Sequence, residues 1–90
     1  MEQFSRTISL VGQSAFDRVH QARVAVFGVG GVGGYVCEAL VRSGIAEIDL
    51  FDRDDVSISN LNRQIIALHS TIGQDKVDAM AARLKDINPH

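Results

Sequence analysis

Between Arg23 and Asp52 the chain reads RVAVFGVGGVGGYVCEALVRSGIAEIDLFD, an order of residue types that few folds accommodate. Val24 to Phe27 form a short apolar run that meets a glycine cluster at once. Val32, Val36 and Leu40 then recur at four-residue steps, a spacing that predicts a helix. Gly44 stands where such a helix needs a residue of positive φ to stop, and Ile48 to Phe51 give a second apolar run ending on an acid, Asp52. The unit predicted is βαβ, the half-module of a nucleotide-binding sheet. The fold class is therefore α/β, the N-terminal part of a Rossmann-like, doubly wound parallel sheet preceded by an arm and a helix.

Each glycine has a physical task in such a unit. Gly28 permits the tight turn out of the strand, Gly30 and Gly31 let a phosphate approach the backbone, and Gly33 lets the helix lie close on the sheet. The unpaired N–H groups at the helix start then face the phosphates, and the macrodipole adds a favourable potential for an anion. Asp52 ends the second strand, where a carboxylate accepts hydrogen bonds from ribose hydroxyls. A glycine-rich packing turn is the bland alternative. The succession of strand, glycines, helix, strand and terminal acid favours a nucleotide.

At 90 residues the chain is one domain at most, and doubly wound domains are usually larger. It is expected to be the N-terminal part of a longer protein, ending at Asn88-Pro89-His90 where another parallel strand is due. The expected divisions are an arm and helix over 1–22, the βαβ unit over 23–52, a phosphate-side loop over 53–73 and a helix over 74–88. With 46% hydrophobic and 22% charged residues, a disordered tail is excluded. A net charge of −2 gives no general signal for polyanion binding. Cys37, the single cysteine, supports neither a disulfide framework nor a zinc cluster and is expected to be a packed thiol. No signal-peptide pattern or membrane-spanning run is present in the sequence, so the default location is cytoplasmic.

Met1 to Gly12 form a mixed segment around a single cation, Arg6. Ser14 is expected to cap a short helix with Phe16 and Val19 on one face, lying across one side of the sheet. His20 has no partner at ligand spacing and is expected to be exposed or a satisfied packing residue. The loop from Asp52 to Gln64 is crowded with polar groups, of which Arg53 and Asp55 read as solvated. Asn60, Asn62 and Arg63 follow the C-terminal end of the second strand, the edge where open α/β sheets bind ligands; arginine offers a planar fork for phosphate, and asparagine holds a loop or meets a phosphate. Ile65 to Ser70 read as a short helical turn. After Gly73, Val77, Met80, Ala81, Leu84 and Ile87 mark the core stripe of an amphipathic helix. Lys76 falls in its first turn, where a cation opposes the dipole; it is either solvated or set to meet an anion.

Taken together, Arg6, the glycine loop, Asp52, Asn60-Leu61-Asn62-Arg63-Gln64, Lys76 and Ile87-Asn88-Pro89 resemble the ThiF, MoeB and HesA family, adenylating enzymes related to ubiquitin-activating enzyme. Phe4-Ser5-Arg6-Thr7, Leu10-Val11-Gly12, the run from Val24 to Gly33 and the NxNRQ loop look most like its tRNA threonylcarbamoyladenosine dehydratase branch (TcdA/CsdL). The resemblance implies ATP and magnesium as cofactors. It implies nucleotide contacts from Gly28, Gly30, Gly31, Gly33, Asp52, Asp54, Asn60, Arg63 and Lys76, and catalytic cations at Arg6, Arg63 and Lys76, with Arg6 reaching the neighbouring subunit of a homodimer. It further implies tRNA as substrate of the intact protein, activated as an acyl-adenylate that cyclises with net loss of water, and leaves room for a sulfur-transfer partner protein.

The resemblance also implies a magnesium-handling aspartate on a strand beyond His90, so the 90 residues are expected to be inactive alone. Gly34 stands where many relatives carry serine, a change expected to weaken helix propensity slightly. Three rival readings share the same residues. A sulfur-carrier adenylyltransferase would activate the C-terminus of a ubiquitin-like protein. An NAD-dependent oxidoreductase would use the glycine loop and Asp52 but leave the asparagine, arginine and lysine set without a task. A noncatalytic nucleotide-sensing domain is the third.

Overall fold

In the computed structural model, which describes residues 2–90, two parallel strands form the sheet: β1, Arg23–Phe27, and β2, Glu47–Phe51. Val24 stands opposite Ile48 and Val26 opposite Leu50. Strand alternation sends these four towards the helices. The other face carries Arg23, hydrogen-bonded to Asp49 at 2.8 Å, and Phe27 stacked on Phe51 with centroids 4.7 Å apart.

Helix α3, Gly31–Arg42, joins the strands as the spacing predicts, and Gly44 follows it at φ 117°. Its buried side is Gly34, Cys37 and Val41, whereas Val32 of the valine repeat is 82% exposed. The helix period was legible, but the inward face was not: at Gly34 a Cβ would lie 3.0–3.4 Å from Val29, Ile65 and Met80, which leaves no room there for a valine. Cys37 is packed as expected, and burial pushes its thiol pKa up. Helix α4, Lys76–Ile87, lies against α3 and β2. Met80 and Leu84 of its predicted stripe enter the core with Val26, Val29, Cys37 and Ile66, and Ile87 packs at the margin.

Glu38 of α3 clamps the two helices. It accepts hydrogen bonds from Arg83 of α4 at 2.8 Å and from Arg42 one turn on at 2.9 Å. The Arg83 hydrogen bond, against the opposing effect of burial and with help from Arg42, holds the Glu38 carboxyl below its ordinary range. A depressed folded-state pKa means that the stabilisation is complete above the unfolded value of about 4.3 and is lost as pH falls through the folded value. Glu38→Gln should be about 1 kcal/mol less stable at neutral pH. Thermal melting should then fall less steeply between about pH 5 and pH 3 than in the wild type. Parallel melting curves would remove Glu38 from the acid response.

At the N-terminus, Met1 of the expected arm lies outside the described residues. A 3-10 turn, Glu2–Phe4, leads into α1, Ser5–Val11, and then α2, Gln13–Gln21. The mixed segment is thus largely helical. The expected Ser14 cap is corrected: Ser14 lies inside α2, and Gly12, at φ 89°, is the N-cap with no side-chain bond. A left-handed glycine turns the chain sharply enough to start the helix two residues early. The anchoring contacts of α2 are with the turn at Gly44, where a position across the sheet was expected. Phe16 sits so close to that turn that a Cβ on Gly44 would come within 2.6 Å of its ring. His20 stacks on Phe16, and its Nδ1 lies 2.9 Å from the Gly44 carbonyl oxygen, a satisfied packing histidine. Among the described residues no helix is long and apolar enough to cross a membrane.

Candidate nucleotide site

The site is built at the C-terminal ends of β1 and β2. Gly28, at φ 88°, makes the turn out of β1, and its N–H donates to the Phe51 carbonyl at 2.7 Å, tying the loop to the end of β2. A Cβ on Gly33 would overlap the Gly28 carbonyl oxygen, so the first turn of α3 rests directly on the glycine turn. Gly31 faces open space and Gly30 faces the side chain of Gln64. Gly34 is more constrained than helix propensity implies: a Cβ there would lie 3.0 Å from the Val29 carbonyl oxygen and 3.1 Å from Ile65.

Asp52 is half-buried next to this loop. One carboxylate oxygen accepts the Val29 N–H at 3.0 Å and the other accepts the Asp54 N–H at 2.9 Å. Burial raises its pKa, but those two hydrogen bonds and the charge of Lys76 together outweigh it, and the carboxylate is held below its ordinary range. Lys76 is 7% exposed, so it is not the solvated side chain that was one of its two expectations. Its ammonium forms no ion pair among the described residues. The start of α4 is drawn to this place by backbone bonds: Lys76 N–H donates to the Asp54 carbonyl at 3.0 Å, and Asp55 and Asp75 form an antiparallel bridge. The glycine loop, Asp52, Asp54 and Lys76 are therefore neighbours.

The remaining candidates are disposed differently. Asn60 is buried, and its Oδ1 accepts the Ser57 N–H at 2.9 Å and the Ser57 hydroxyl at 3.1 Å, closing a capped 3-10 turn, Ile58–Asn60. Of the two tasks open to asparagine, it performs the holding of the loop. Arg63 is exposed, with Nη1 donating to the Ser59 carbonyl and to Asn62 Oδ1. Ile65 to Ser70 form turns without a helix, since the Thr71 hydroxyl intercepts the carbonyls of Ile66 and Leu68. Arg6 is exposed on α1 and is not brought into the site. Sequence reasoning missed two features here, the brace from Asp52 to Val29 and the placement of Gln64 against Gly30. The sequence signal for the second is that Gln64 closes the NxNRQ motif directly after Arg63.

The ThiF family profile matches residues 4–90. The chain belongs to the ThiF family. Its similarity to the tRNA threonylcarbamoyladenosine dehydratase of Bacillus subtilis is 53% identity over 89 residues, covering 99% of this chain and 35% of that protein. The crystal structure of E. coli TcdA, the tRNA N6-threonylcarbamoyladenosine dehydratase, in complex with ATP superposes with a TM-score of 0.95 at 44% identity, over 98% of this chain and 36% of that one. Ubiquitin-like modifier-activating enzyme 5 of Bombyx mori is 46% identical over 74 residues, 82% of this chain and 19% of that protein. The chain thus spans about a third of the length of the dehydratase relatives.

Three features at this end of the sheet suit an anionic ligand. The α3 N-terminus supplies amide donors and positive potential for an anion. Asp52 retains free lone pairs on both oxygens after its two backbone bonds, so it can accept from hydroxyl donors. Lys76 forms no direct ion pair among the described residues, although its charge acts on Asp52, and it suits an anion beside that carboxylate.

Proposed function

We propose that the intact protein binds ATP with magnesium at this site and adenylates the carboxylate of threonylcarbamoyladenosine in tRNA. The observation that carries the reading is Lys76, 7% exposed, with its charge acting on Asp52 and its backbone bonded to Asp54. A triphosphate explains that charge; a hydride-transfer enzyme gives it no task. The names of the dehydratase relatives and the ATP bound to E. coli TcdA support the substrate and the nucleotide.

In this reading residues 1–90 are the N-terminal part of one adenylating domain. Asp52 holds the ribose, Gly28, Gly30, Gly31 and Gly33 face the phosphates, and Arg63 and Lys76 meet their oxygens, with Asn60 shaping the loop that carries Arg63. A substrate carboxylate oxygen attacks the α-phosphorus and pyrophosphate leaves, its growing charge met by cations. An internal nucleophile then closes the ring and releases AMP, for a net loss of water. Arg6 is supplied to the neighbouring subunit of a homodimer. Magnesium takes one or two carboxylates together with phosphate oxygens and retained waters. The exposed Asp54, whose backbone braces Asp52, fits that donor set. The described residues hold no cluster of three or more ligating side chains, and the aspartate that the family resemblance implies beyond His90 would complete the donor set. The location that suits a tRNA substrate is the cytoplasm.

The intact protein incubated with ATP and threonylcarbamoyladenosine-bearing tRNA should yield a nucleoside lighter by one water in mass spectrometry. The similarity to ubiquitin-like modifier-activating enzyme 5 favours a second reading, adenylation of a ubiquitin-like or sulfur-carrier protein. An unchanged nucleoside together with pyrophosphate exchange that depends on such a carrier would establish that reading instead.

A further inference from the structure

Gln64 is buried to 9% exposure, and its Oε1 has no hydrogen-bond partner. It is held there from its backbone: Gln64 N–H donates to the Asn60 carbonyl at 2.9 Å and its own carbonyl accepts the Ala67 N–H at 3.0 Å. The carboxamide lies flat against Gly30, the N-cap of α3, with Cδ, Oε1 and Nε2 all 3.0–3.1 Å from where a Cβ on Gly30 would be. A methionine or leucine would fill the same space without stranding an acceptor, so packing alone gives no reason for an amide. Resting on the reading of the site as an ATP site, we infer that Gln64 is a positioning residue whose carboxamide engages the nucleotide's phosphates beside Gly30.

The two ends of a carboxamide have nearly the same shape, and a half-turn about Cγ–Cδ exchanges oxygen for nitrogen without repacking the surroundings. Without an anion, the buried oxygen lies against the glycine loop. A phosphate arriving at the α3 amides presents acceptor oxygens and has no use for another. Since both ends lie equally close to Gly30, the half-turn lets whichever end meets the phosphate be the N–H donor. Because Gln64 adjoins Arg63 and its backbone hangs on Asn60, the same movement fixes the loop that carries the arginine.

The test is binding of ATP and of adenosine by the intact protein, measured by calorimetry or by competition, for the wild type, Gln64→Met and Gln64→Glu. Gln64→Met should lose about tenfold in ATP affinity, the worth of one hydrogen bond to a charged group, with adenosine affinity and melting temperature unchanged. Gln64→Glu keeps the shape, but its carboxylate repels phosphate; it should lose more than tenfold for ATP and again nothing for adenosine. ATP affinity equal to wild type in both variants, or equal losses for ATP and adenosine, would overturn the inference and leave Gln64 a packing residue. A wild-type protein that binds no ATP overturns the ATP reading itself.

Discussion

Replacing Gly33 with alanine is expected to destabilise the fold by about 3 kcal/mol or more, at the top of the range for an overpacked core. The added methyl would overlap the Gly28 carbonyl oxygen, a backbone atom at a turn fixed on one side by positive φ and on the other by the hydrogen bond to Phe51. Neither partner can rotate away, so the start of α3 must lift from the strands. Gly34, Cys37 and Val41 would then lose their contacts, and the α3 amides would shift relative to Asp52. With total stabilities of about 5–15 kcal/mol for a domain, a change of this size is readily measured by denaturant titration of the intact protein. Gly31→Ala is the control: nothing lies within 4 Å of the added carbon, so stability should barely change while ATP affinity falls. A stable Gly33→Ala protein with wild-type melting would mean that α3 does not rest on the turn as described.

Asp52→Ala should reduce ATP affinity by more than the ribose contact accounts for. The lost hydrogen bonds to ribose are worth about 1.5 to 3 kcal/mol, roughly tenfold to a hundredfold. The structure adds a second loss, because Asp52 also accepts the N–H of Val29 within the glycine loop and that of Asp54. Without the carboxylate those donors lose their partners, and of the loop's ties to the end of β2 only the Gly28–Phe51 bond remains. The two effects separate with 2′,3′-dideoxy-ATP, which lacks the ribose hydroxyls. If Asp52 acted through ribose alone, the wild type and Asp52→Ala would bind that nucleotide equally well. A residual deficit of severalfold is expected. Tight NAD binding by the wild type, with no ATP binding, would instead return the site to the oxidoreductase reading.

The order of elements from Arg23 to Asp52, the left-handed glycines that bound α3 and the family membership were all legible in the residues, because each is written in neighbours along the chain. The apolar run from Val24 to Phe27, a helix period and a glycine that must adopt positive φ are local signals. Gly44 shows this directly, since it was expected to stop the helix and does so at φ 117°. Ser14 marks the limit of the same logic: a capping residue was present, yet the glycine before it started the helix.

What only the tertiary structure decided depends on residues far apart in sequence. The inward face of α3 was set by how closely Gly34 approaches Val29, Ile65 and Met80 of α4, with Cys37 buried on the same side, a steric fact that the valine repeat conceals. Asp52 became a brace because β2 returns parallel to β1 and carries a carboxylate to an amide 23 positions earlier. Lys76, which the sequence left between solvent and an anion, was buried by the bonds that draw α4 to the loop after β2. Gln64 was legible only as a member of the NxNRQ motif, and its placement against Gly30 came from the fold. A one-dimensional pattern reports which residues can pair with water or core, whereas an unpartnered buried group exists only once the chain has closed around it.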